Sequence, residues 1–110
     1  MSAVLGKLKQ LEKYVTLTGG TSHDPVLELA LGKLVSREAI QLERQKARLQ
    51  AQLEIFEQQY GMNTDVFYAR FEQGELGDKM DFIEWAATCE MVGNLEKQLA
   101  ALGTEKSDLQ

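Results

Sequence analysis

The chain has 110 residues, 44% of them hydrophobic and 26% charged, which is the balance of an ordinary soluble globular protein and the length of one small domain. Nine glycines and one proline exclude a collagen-like or low-complexity chain, and 12 basic against 17 acidic side chains argue against general binding to a phosphate backbone. Cys89, the single cysteine, allows neither an internal disulfide nor a cysteine-rich zinc site, so a reducing, cytoplasmic setting is expected.

No basic start followed by a long apolar run marks a secretion signal, and no stretch of about 20 apolar residues marks a membrane span. The charge is uneven. Residues 1–55 carry eight basic and six acidic side chains, whereas residues 56–110 carry four and eleven. Any basic patch therefore belongs to the first half and the acidity to the second.

Val4, Leu8, Leu11 and Val15 recur at helical spacing and put one apolar face on a first helix. Gly6 weakens it, and Tyr14 to Thr18 is β-branched and aromatic enough to compete as a strand, so residues 1–18 stay open between the two. Thr18 to His23 reads as a flexible connection. It has neither the preceding strand nor the Gly-Lys-Ser/Thr ending of a phosphate-binding loop. The expected layout is an N-terminal segment and connection over 1–23, a helical domain over 24–103 and a polar tail over 104–110.

Asp24 and Pro25 predict a helix start, because Asp accepts from the free N–H groups of the first turn and Pro lacks the donor that would be wasted there. Helical spacing continues to Tyr60, about 54 Å at 1.5 Å per residue. Val35, Ala39, Leu42, Lys46, Leu49, Leu53, Phe56 and Tyr60 alternate intervals of four and three, the heptad seam of a helix that seeks a helical partner. Leu27, Leu31 and Leu34 are out of phase with it, which predicts a kink or break at residues 32–36.

Gly61 can end this helix and Asn63 can cap the next, with Met62 and Phe67 spaced as a hydrophobic staple. The third helix, about 64–73, offers Val66, Phe67, Phe71 and Tyr68 to the core. In the turn Gly74-Glu75-Leu76-Gly77 the glycines can supply positive φ and Leu76 is an inward anchor. Asp78 is expected to cap the last helix, about 79–102, with Asp81 in the capping-box position. Phe82, Trp85, Cys89, Val92, Leu95, Leu99 and Leu102 form its apolar stripe, and Gly93 suggests a close helix contact. The fold class expected is all-α: an antiparallel long-helix hairpin, coiled-coil-like, closed at one end by the short aromatic helix.

Chemistry is sparse, and no catalytic residue, metal site or cofactor is assigned. Asp78, Asp81 and Glu84 lack the ligand alternation and central glycine of a calcium loop, and capping explains them better. His23 has no second histidine beside it, and Cys89 reads as a buried apolar residue. Lys33, Arg37, Arg44, Lys46 and Arg48 could touch nucleic acid, but a solvated face answering Glu38 and Glu43 is the plainer reading. Lys46, inside the seam, is expected to fix register or oligomer state.

The stretch from Arg37-Glu38 to Trp85 includes Phe56-Glu57, Tyr60-Gly61-Met62, Phe67-Tyr68 and Arg70-Phe71-Glu72. Gly74-Glu75-Leu76-Gly77-Asp78 and Asp81-Phe82-Ile83-Glu84-Trp85 follow. It resembles small prokaryotic helical proteins of antitoxin type, coded beside a toxin gene. The resemblance covers about residues 24–102, and its specific part is Gly74 to Trp85. It implies a non-enzymatic protein that binds and silences a toxin, and no catalytic motif is carried over.

A partner surface is accordingly expected at Glu72, Glu75, Leu76, Asp78, Asp81 and Glu84, where acidic charge beyond the needs of capping would attract a basic toxin. A homodimer is expected through Val35, Leu42, Lys46, Leu49 and Leu53, because the long helix outruns the last one. The competing readings are a nucleic-acid-binding regulator using the basic helix and, behind it, a small metal-dependent enzyme. Membrane binding is not expected.

Overall fold

The computed structural model describes residues 2–18 and 24–103; the expected connection after Thr18, with His23, and the polar tail lie outside them. The described residues form four α-helices and no strand: α1 (Ser2–Leu17), α2 (Pro25–Tyr60), α3 (Thr64–Glu72) and α4 (Met80–Ala101). The chain is all-α: in place of the strand alternative, Tyr14 to Leu17 are helical and Thr18 is in a turn. Two compact units divide it, Met1–Leu34 and Val35–Gln110.

In the first unit, α1 keeps most of its side chains in solvent, with Val15 half-buried. Asp24 caps α2 as its chemistry requires, its Oδ1 accepting from the N–H of Val26 at 3.0 Å and of Leu27 at 3.2 Å. The helix then runs without interruption through Gly32 to Ser36, so the break expected from the change of apolar phase is absent. The phase change alters which face is apolar, and backbone hydrogen bonding along a helix does not depend on that.

The second unit contains the core. Gly61 takes φ 61°, the left-handed conformation that ends α2, and the Met62 N–H reaches back to the Glu57 carbonyl at 3.2 Å. Asn63 then caps α3, its Oδ1 accepting from the Asp65 N–H at 2.8 Å. Glu57, on the last turns of α2, accepts from the Thr64 N–H at 2.8 Å and so satisfies a second free donor of α3. This cap is contributed by a different helix, and no local spacing announces it.

Trp85 of α4 and Phe67 of α3 are fully buried, their rings stacked 3.9 Å apart and 2° from parallel. Phe56 of α2 stacks on the same indole at 5.4 Å, and Tyr60 lies 5.9 Å from it. The indole N–H donates to Thr64 Oγ1 at 3.1 Å, so the most deeply buried polar hydrogen of the cluster has an acceptor. Met62, Leu76 and Phe82 pack around this cluster, as the staple and anchor readings anticipate. Val92, Leu95 and Leu99 continue the buried stripe of α4, while Cys89 and Leu102 are half-buried.

Five further expectations need correction. Val66 is 51% exposed, because the face that α3 turns to the core is set by Phe67 and Phe71. Gly93 makes no close helix contact, since a Cβ added there would meet open space. Cys89 is half-buried rather than buried. Asp78 does not cap α4: Lys79 is the N-cap and makes no side-chain capping bond. Asp81 also has other business, because its Oδ2 accepts from the Tyr60 hydroxyl at 2.5 Å. A charge-assisted bond of that kind outcompetes the local capping box.

Trp85→Ala is expected to cost about 3–5 kcal/mol by emptying the centre of the ring cluster. Thr64→Val keeps the volume but strands the indole N–H, at a cost of about 1–3 kcal/mol. Urea unfolding followed by far-ultraviolet circular dichroism checks both. Near-parent stability of either variant would mean that the stacked cluster is not the centre of the core.

Candidate interaction surface

The link from α3 to α4 is built on two positive-φ glycines, Gly74 at 77° and Gly77 at 80°, each in a conformation that a Cβ would strain. Gly74 closes α3 through its N–H to the Phe71 carbonyl at 3.0 Å, and the Glu75 N–H bonds to the Arg70 carbonyl at 3.1 Å. Leu76 is half-buried against the aromatic cluster. The turn is therefore held by its backbone and one apolar anchor, leaving its charged side chains outside.

The structure gives the six expected surface residues unequal parts. Glu72, Asp78 and Glu84 are exposed. Glu75 is exposed too, but it accepts from the Arg70 Nε at 3.1 Å and is partly neutralised. Asp81 is half-buried and bonded to Tyr60, with Gln59 Nε2 at 3.5 Å, so it positions the start of α4 against the end of α2. Leu76 is an anchor. Lys79 carries the one basic charge of the link, and its Nζ lies over the Tyr60 ring at 5.0 Å and the Phe82 ring at 5.7 Å.

A second acidic region escaped the sequence reading. Glu54 and Glu57 of α2, Asp65 of α3 and Glu96 of α4 line an open groove of about 530 Å³ with Cys89 in its wall. No stretch of sequence holds these acids together. They flank the apolar faces of three helices and converge only through the packing of those faces.

Burial raises the Cys89 thiol pKa, and the charges of Asp65, Glu90, Glu96 and Glu72 add to the effect. A thiol held in its neutral form is a poor nucleophile, so the groove lacks an activated cysteine. Beside it the Tyr68 hydroxyl donates to Glu90 Oε2 at 2.7 Å. That bond, then desolvation, then the charges of Glu72 and Glu90 hold the phenol well above its ordinary range.

Of the proposed seam, Leu42, Lys46, Leu49 and Leu53 are half-buried and Val35 is 39% exposed. Lys46 Nζ lies 3.5 Å from Glu96 Oε2 of the same chain. Lys33, Arg37, Arg44 and Arg48 are exposed and make no ion pair among the described residues. Among the described residues no group of three His, Cys, Asp or Glu side chains could hold a metal ion. No described helix is long and apolar enough to cross a membrane. No protein-family model, curated protein or solved structure matches the chain.

The Tyr68 bond has a measurable consequence. A folded-state pKa above the ordinary 10.0 means that the bond stabilises the fold fully below about pH 10 and that this contribution is lost as pH rises further. In an alkaline titration read by phenolate absorbance, the Tyr68 phenol should ionise late. Tyr68→Phe should remove that late step, and Glu90→Gln should bring it earlier. A parent protein with no late phenol would show that the bond does not form in solution.

Proposed function

We propose that this protein is a non-enzymatic interaction module that binds a basic protein partner through the acidic turn between α3 and α4, in the manner of an antitoxin covering a toxin's cationic cleft. The observation that carries the reading is the exposure of Asp78 on the link, whose backbone is fixed by Gly74, Gly77 and Leu76, and of Glu72 and Glu84 on the helix ends that flank it. None of the three carboxylates is in an ion pair among the described residues. Charge displayed on a preformed turn costs little ordering on binding, and its single sign speeds encounter with an oppositely charged surface.

The architecture proposed for this platform is an antiparallel pairing of the second half of α2 with α4, closed by the aromatic helix α3. Lys46 beside Glu96, Phe56 on Trp85 and Tyr60 beside Phe82 support it, since the partner numbers fall along α4 as those along α2 rise. Asp81 and Tyr60 tie the start of α4 to the end of α2, which keeps the acidic turn in register with the core beneath it.

Glu72→Gln, Asp78→Asn and Glu84→Gln combined test the surface, because they remove charge and leave the Asp81–Tyr60 and Glu75–Arg70 bonds in place. Immobilised parent protein should retain a basic protein from native extract, identifiable by mass spectrometry and released by salt. With that protein purified, the triple variant should associate about tenfold more slowly at low salt, with helicity unchanged. Equal association of parent and variant at all salt concentrations would reject the acidic surface. Retention of nucleic acid in place of a protein would transfer the function to the basic residues of α2.

A further inference from the structure

The helix α1 presents an apolar face that is largely open to solvent. Val4 is 62% exposed, Leu8 50% and Leu11 36%, with Val15 half-buried at the end of the row. Their intervals of four, three and four are those of alternating core positions in a heptad, with Val4 and Leu11 at d and Leu8 and Val15 at a. In that register Lys9 and Lys13 fall on the outer positions b and f. Lys7 falls at g and Glu12 at e, the two positions that flank a coiled-coil seam.

We infer that α1 is a self-association segment whose occupant is the α1 of a second copy of this chain, in parallel orientation. The charges choose both partner and direction. In a parallel pair each g residue faces the e residue five positions further along the other helix, which sets Lys7 of each copy against Glu12 of the other. In an antiparallel pair g faces g and e faces e, so Lys7 would meet Tyr14 or a second Lys7 and Glu12 would meet Leu5 or a second Glu12. Only the parallel arrangement covers the apolar row and satisfies both charges.

Self-association is thereby assigned to α1 and not to the α2 seam, where Lys46 already faces Glu96 of its own chain. The inference is independent of the acidic turn, which lies in the other compact unit. Two heptads give a modest association, so the dimer is expected to form in the upper micromolar range.

The full-length protein tests this by light scattering from about 20 μM to about 1 mM, where the parent's average mass should climb from near that of the monomer toward twice that value. Lys7→Glu and Glu12→Lys, each alone, place like charges across the seam and should weaken dimerisation by several-fold to about tenfold. The two together recreate the pair with its signs exchanged and should restore the dimer, a rescue that a simple loss of helix stability would not give. In a Cys89→Ser background, Leu11→Cys should cross-link to its own kind under mild oxidation, and Lys13→Cys, on the outer face, should not. A monomeric parent would overturn the proposal. A dimer indifferent to both charge variants would overturn it by locating the contact elsewhere. So would a monomer whose α1 binds vesicles containing phosphatidylserine, since a lipid surface would then be what covers the apolar row.

Discussion

The stacking of Trp85 on Phe67, with the indole N–H donated to Thr64, is the constraint from which the second unit follows. A large ring with one polar hydrogen can be buried completely only if an acceptor is delivered to that hydrogen. Thr64 is that acceptor because it is the first residue of α3. Its place there is fixed by the Gly61 turn, the Asn63 cap and the Glu57 carboxylate reaching over from α2. One buried hydrogen bond thus ties the start of α3, itself held by the end of α2, to the second turn of α4.

The acidic turn inherits its rigidity from the same arrangement. Leu76 and Phe82 pack on the ring cluster from either side of Gly77, and Asp81 is bonded to the hydroxyl of a tyrosine whose ring belongs to that cluster. The exposed carboxylates around these anchors, Glu72, Asp78 and Glu84, contribute little to folding. Their positions are nevertheless set, because the backbone that carries them is anchored on both sides. Stability and recognition are therefore carried by different residues within a dozen positions of one another.

The local punctuation was legible in the sequence. Asp24 with Pro25, Gly61 with Asn63, and the glycines at 74 and 77 act through bonds and conformations confined to a few neighbouring residues, and each has the role its chemistry implies. The stripe from Trp85 to Leu99 was legible for a similar reason, since helical period alone decides which residues share a face. Apart from the break at 32–36 and the Asp78 cap, which are local, what sequence spacing misjudged lies across helices. Asp81 has the right spacing for a capping box, yet it is taken by Tyr60, 21 positions away in the chain. Val66 has the right hydrophobicity for the core and the wrong side of α3. Glu54, Glu57, Asp65 and Glu96 meet around a groove only because three helices pack together.

The chain has one tryptophan, and that residue is the buried centre of the ring cluster. Its emission therefore reports solvent entry at a single place, the junction of α2, α3 and α4. An unfolding curve recorded by indole fluorescence will describe the unit that carries the acidic turn. Two optical probes of the same sample, one indole and one peptide backbone, would then separate the two units without any mutation.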